Sequence, residues 1–202
     1  FNISGGSKSI NYMLSYSNTD QRGFIVNDDF KRNSVRMNLN AEIASWWKIG
    51  IQTFGAFVNQ DGAEPGLWNL ITHSPLTEPY DENGKIKPYP FNTLDTNPFM
   101  GSDIDDYERH NYFFGNISSE IKLPLKGLVY RLNLGNNYRI DNHFQASQYG
   151  YNLQGEAYKE HTGYYDYTID NILAYNATFG EHHIDATLLY GASERKYCLL
   201  YT

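Results

Sequence analysis

Residues 128–140 read LVYRLNLGNNYRI, and the alternation in this stretch decides how the rest of the chain is read. Leu128, Tyr130, Leu132, Leu134, Tyr138 and Ile140 share one parity. Arg131, Asn133, Asn137 and Arg139 share the other, with Gly135 between them. Period two marks a β-strand, because successive side chains point to opposite faces. Two environments satisfy such a strand: a protein core backed by water, or lipid outside with a wet lumen within.

The same period recurs along the chain. Ile10, Tyr12, Leu14 and Tyr16 form one apolar set. Val35, Met37, Leu39, Ala41 and Ile43 form another, opposed by Arg36, Asn38, Asn40 and Glu42. Looser runs follow at Ile49, Ile51, Phe54 and Phe57 and at Phe113, Ile117, Ile121 and Leu123. Two more apolar sets close the series, Leu173–Tyr175–Ala177–Phe179 and Ile184–Ala186–Leu188–Tyr190. The expectation is about seven strands plus an opening stub at FNIS.

Composition narrows the class. With 18 Tyr, 11 Phe and 3 Trp the chain is 16% aromatic against 19% charged, and Asn and Gly supply turns. No run approaches the ~18–20 apolar residues of a spanning helix. A membrane β-barrel remains compatible with the negative mean hydropathy, because its lumen and loops are polar. The single Cys198 leaves no intramolecular disulfide and no cysteine-based zinc site. No signal-peptide pattern opens the sequence, and its start inside a strand-like run leads us to expect a piece of a longer protein.

Net charge is −7, all of it from residues 61–110, where ten acids face Lys85, Lys87 and Arg109. No basic stripe exists to displace counterions, so nucleic acid is not an expected partner.

The connections alternate in length. GGSKS, the turn at Trp46, PLKG at 124–127 and FGEH at 179–182 are short, whereas 20–32, 61–108 and 142–163 are long. Outer-membrane barrels sort turns this way, tight on the periplasmic rim and long on the outer one. Aromatic residues at the short turns, Trp46, Trp47, Phe179 and nearby Tyr12, fit interfacial girdles, while each alone fits ordinary strand packing. On this reading Leu128, Tyr130, Leu132 and Leu134 face lipid, and Arg36, Arg131, Asn133 and Arg139 face the lumen.

The ordered series of motifs is similar to a known family. NISGGSKSINYMLSYSNTDQRGFIVNDDFKRNSVRMNLNAEIASWWKIG, then Asn97-Pro98, then Glu108-Arg109 with FFGNISSEIKLPLKGLVYRLNLG, and finally DNILAYNATFGEHHIDATLLYGAS resemble the barrel of SusC/RagA-like TonB-dependent outer-membrane transporters. The resemblance covers about residues 2–194. It implies an all-β, antiparallel transmembrane barrel of about 22 strands, of which this chain supplies part. It further implies the outer membrane of a Gram-negative bacterium, a SusD-like surface lipoprotein as lid, and energy from the TonB complex through a plug outside this chain. The implied substrate is an oligosaccharide, or in some members a peptide. Residues 1–197 are then a partial barrel domain, and 198–202 (CLLYT) read as an atypical or truncated tail that leaves the alternation.

Candidate chemistry is sparse. Asp103, Asp105, Asp106 and Glu108 in SDIDDYER could offer oxygens to calcium, although the spacing is not that of an EF-hand and a solvated rim explains them. His182 and His183 point to opposite faces of a strand, and His73, His110, His143 and His161 lack HExxH spacing, so no metal site and no cofactor are expected. No nucleophile elbow, P-loop or dinucleotide fingerprint occurs, and no pair of acids stands out for glycoside hydrolysis. Trp68, Tyr80, Tyr89 and Phe91 in the longest connection are the substrate-binding candidates, since aromatic rings stack on sugar faces; packing of the loop on itself accounts for them equally well. Tyr149, Tyr151, Tyr158, Tyr164 and Tyr165 invite the same two readings. The rival from another class is a soluble, secreted β-sandwich that binds carbohydrate or a hydrolase built on one.

Overall fold

The computed structural model describes residues 1–63, 67–91, 96–149 and 153–202. Eight antiparallel strands form one sheet in chain order. They are β1 Asn2–Gly6, β2 Ile10–Arg22, β3 Asp29–Ala44, β4 Trp47–Asn59, β5 Asp105–Lys122, β6 Leu128–Ser147, β7 Glu156–Phe179 and β8 His182–Tyr201. Each strand pairs with its neighbour in sequence, and the sheet stays open with β1 and β8 as edges. A short helix, α1 Leu67–Thr72, and a 3₁₀ turn at Pro98–Gly101 lie in the β4–β5 connection.

Register turns eight separate alternations into two continuous faces. One ladder line runs Tyr12, Leu39, Ile51, Ile117, Leu134, Ile169, Ala192. The neighbouring line on the other face runs Met13, Asn38, Gln52, Asn116, Gly135, Thr168, Ser193. Directly paired residues share a face, so the apolar sets from β2 to β8 lie together, except that Phe54, grouped by sequence with Ile49, Ile51 and Phe57, pairs with Arg36 on the polar face. Charge on the apolar face appears toward the long-loop ends at Asp20, Lys31, Arg109 and Lys159, and on the edge strand β8 at Glu194, in the ladder line of Met37 and Thr53.

The sheet has almost no core. Among the described hydrophobic residues only Ala41 and Ala56 are buried, and Leu188 is 69% exposed. Among the described residues no second sheet packs on the apolar face, so the β-sandwich alternative has no support: a sandwich would bury that face between two layers.

Loop lengths alternate as expected. Connections 7–9, 45–46, 123–127 and 180–181 are short, and 23–28, 60–104 and 148–155 lie at the opposite end. Two differences from the sequence reading stand out. The strands reach further into the supposed loops: β6 has 20 residues and β7 has 24, so Tyr158, Tyr164 and Tyr165 sit on β7. Residues 198–202 form no separate tail, because β8 continues to Tyr201 with Cys198 opposite Gly163 and Tyr201 opposite Glu160. Both differences have one cause: ladder bonds are made by the backbone, and a polar or irregular side-chain pattern does not end them.

The short β5–β6 turn depends on Gly127, whose φ is +87° and whose position lies against the Asn176 carbonyl of β7. Gly127→Ala is expected to cost roughly 1–3 kcal/mol through the left-handed backbone and the contact with that carbonyl, read as a lower urea midpoint of unfolding.

Candidate functional site

The long-loop rim is built outward from the strand ends. Asp61, just past β4, accepts from the Glu108 backbone N–H and from Arg109 Nε at 2.9 Å each, and it pairs with the second Arg109 nitrogen as well. Arg109 also lies 4.9 Å over the Tyr107 ring. These contacts fasten the start of the β4–β5 connection to its end. Asn27 then bridges loops, donating to the carbonyls of Ala63 (2.8 Å) and Ser102 (3.0 Å).

Asn97 is the node of the long loop. It is 2% exposed, donates to the carbonyls of Pro79 (2.7 Å) and Lys87 (2.9 Å), and accepts from the Phe99 N–H at 3.0 Å. This satisfies a buried amide completely enough to justify its burial. The Tyr80–Ile86 bridge and the Tyr80–Phe99 ring contact at 5.9 Å complete the fold of this segment.

A cleft of about 920 Å³ opens between this loop and the β6–β7 connection. Tyr80, Asp81, Lys85, Lys87, Tyr89 and Tyr149 are among its walls. Tyr149 donates to Asp103 Oδ2 at 2.5 Å, and Gln148 donates to the same oxygen at 3.0 Å, tying the two loops together. Burial first, then the bond to Asp103 and its charge, push the Tyr149 hydroxyl up to about 12.

Of the substrate-binding candidates, Tyr80 and Tyr89 meet in this cleft, whereas Trp68 and Phe91 stand outside it, 73% and 69% exposed. Tyr149 joins them from a different loop. Its inclusion could not be read from spacing, because Tyr80 and Tyr149 meet only through the fold. Tyr151 lies outside the described residues.

The strand candidates separate cleanly by face. Leu128, Tyr130, Leu132 and Leu134 share the apolar face, where the Tyr130 hydroxyl donates to Asn171 Oδ1 at 2.6 Å and so satisfies a polar intruder. Arg36, Arg131, Asn133 and Arg139 share the polar face. Arg36 sits 5.5 Å over Phe54, Arg131 donates to Glu120 at 2.8 Å, and Arg139 donates to Asp141 Oδ1 at 3.0 Å. Asn133 lines a trough of about 330 Å³ near the short turns, with Lys8, Asn40, Lys48, Glu120 and Arg131.

Long strands in a meander, one face apolar and one polar, with the long connections gathered at one rim, define the architecture of a β-barrel wall. Comparison with known proteins agrees. No family model matches the chain. It is 25% identical over 214 residues to "TonB-dependent receptor P3" of Formosa agariphila, a match covering 96% of this chain and 21% of that protein. Its fold is similar to the RagAB peptide importer in the 'closed-closed' state, with a TM-score of 0.69 and 22% identity over 97% of this chain and 24% of that one. The 'open-open' state gives a TM-score of 0.69 and 23% identity, covering 97% of this chain and 23% of that one. The chain is thus similar to a SusC/RagA-like TonB-dependent transporter, and it spans 21% of the length of its curated relative. These relatives are named as a receptor and importers, not as enzymes.

Asn97→Ala is expected to loosen residues 60–104, since stranding each buried partner costs roughly 1–3 kcal/mol; limited proteolysis of that connection reads the effect. The Tyr149–Asp103 contact requires the protonated phenol. It is therefore complete below the ordinary tyrosine value of 10.0 and lost as pH rises through about 12. A late-ionising tyrosine in the alkaline ultraviolet titration, absent from Tyr149→Phe, is the expected signature.

Proposed function

We propose that residues 1–197, with β8 continuing past them, form part of the wall of a TonB-dependent importer in the outer membrane of a Gram-negative bacterium. The observation that carries this reading is the apolar face, continuous over the strands from β2 to β8 and left uncovered by the described residues. A sheet of this kind is at home with lipid on one side and a polar lumen on the other. Leu128, Tyr130, Leu132 and Leu134 then meet lipid, and Arg36, Arg131, Asn133 and Arg139 line the lumen. Their apolar stretch of 128–140 exceeds the ~9–11 residues that a tilted membrane strand needs.

The work of such a wall is selective binding and passage, with no bond made or broken. The cargo we infer is an oligosaccharide: the outer cleft offers the rings of Tyr80, Tyr89 and Tyr149 among acids, lysines and amides, which stack on sugar faces and hydrogen-bond hydroxyls. Peptide is the second reading, favoured by the similarity in fold to the RagAB peptide importer. A SusD-like lipoprotein is the expected lid over the long-loop rim, with Trp68 and Phe91 exposed for it. The TonB complex would act through parts of the protein outside this chain.

Paired substitutions in the full-length protein test the faces. Leu132→Arg should block barrel assembly, because arginine at mid-membrane on the lipid side costs roughly 2–4 kcal/mol. Arg131→Leu should be tolerated, because the exposed Arg131–Glu120 pair contributes about 0–1 kcal/mol. Heat-modifiable gel mobility of the outer-membrane fraction reads both, and equal tolerance of the two changes would sink the lipid assignment.

A further inference from the structure

We propose that Asp106, Glu108 and His143 form a binding site for one divalent transition-metal ion on the polar face, at its long-loop end. The site follows from side-chain geometry and does not rest on the importer reading. Glu108 on β5 stands directly opposite His143 on β6, and Asp106 stands one ladder step away opposite Gln145. One ligand atom from each lies within 4.8 Å of the others. Bonds of about 2.0–2.2 Å to zinc place ligand atoms within about 4.4 Å of one another, so a small rotamer adjustment closes the set.

Charge balance is the second argument. The Asp106 side chain is only 4% exposed, and its partners are the His143 Nε2 at 2.8 Å and the Gln145 amide at 3.2 Å. Glu108 meets the His110 ring at 3.0 Å, and the other nitrogen of that ring lies 2.7 Å from Asp141. Glu160 faces His143 from β7. Among the described residues, the only guanidinium or ammonium paired with any of these four carboxylates is Arg139, on Asp141. A buried carboxylate with no cation beside it is costly, so this patch calls for added positive charge.

The donor set decides which cation. An imidazole with two carboxylates suits zinc, manganese, iron or cobalt, whereas calcium prefers an all-oxygen cage. The ligands stand on adjacent strands of one sheet, and each has a further polar partner: His143 the Tyr158 hydroxyl, 3.0 Å from both ring nitrogens, Glu108 the His110 ring, and Asp106 the Gln145 amide. Such outer partners fix ligand orientation and raise affinity. Loaded, the site would clamp β5 to β6 at the rim and leave further coordination positions open.

The test uses the full-length protein in detergent, stripped with a chelator and titrated with Co²⁺, then Zn²⁺. One equivalent of Co²⁺ with visible d–d absorption, displaced by Zn²⁺, is expected. Glu108→Gln and His143→Gln should each weaken binding at least about tenfold, while His182→Gln, on the opposite face of β8, should match wild type. Gel mobility before and after heating verifies that each variant is folded. If a variant fails to assemble, protection of His143 in the wild type from diethyl pyrocarbonate by Zn²⁺, mapped by mass spectrometry, replaces it. Absence of a bound equivalent, equal affinity in all the variants, or unprotected His143 overturns the site.

Discussion

The antiparallel ladder, held in one register from β1 to β8, is the constraint on which everything else in this molecule depends. Side chains alternate with a period of two, so a slip of a single residue between any two strands would send one apolar set to the polar side. The pairing suffers one irregularity among the described strands, the shift between Glu42 and Ala44 beside the tight turn at 45–46. Elsewhere Tyr12 connects through to Ala192 without changing face. The turns enforce this: Gly127, at φ +87°, closes the β5–β6 hairpin in the left-handed region that glycine reaches without strain.

Among the described residues, nothing packs on the apolar side of this sheet. Domains ordinarily gain stability by packing one layer on another. Here the large hydrophobic side chains from Ile10 to Leu200 stay substantially exposed, and the backbone hydrogen bonds are the main internal glue. The proposed lipid contact would give that face the apolar partner that the described residues do not supply. Polar residues on the apolar face are handled locally, as Tyr130 does for Asn171.

The rim follows a different logic. Its strands outrun the apolar belt, its side chains pair by charge, and its long connections are cross-tied by Asp61, Asn27, Asn97 and Tyr149. A loop spanning 60–104 held at this many points is a shaped surface, and its shape creates the cleft. The same rim concentrates the acids that make the chain negative, and the sheet sets two histidines among them.

Period two and the alternation of loop lengths were enough to establish from sequence the antiparallel all-β class and most of the membership of each face, with Phe54 misplaced where the β4 alternation is loose, because parity is a local property of a pleated chain. The division of Leu128, Tyr130, Leu132 and Leu134 from Arg131, Asn133 and Arg139 is such a property. Strand ends were less legible, as the continuation of β7 through Tyr158 and of β8 to Tyr201 shows, since backbone pairing tolerates polar side chains. The alternation of Asp106, Glu108 and His110 and of Asp141 and His143 was visible, but its meaning was not, because motif spacing within one segment says nothing of what stands on the next strand. Only the tertiary structure decided that Glu108 faces His143, that Tyr80 and Tyr89 share a cleft with Tyr149, and that Trp68 and Phe91 do not. Those are contacts between residues far apart in the chain, fixed by register and by loop folding rather than by composition.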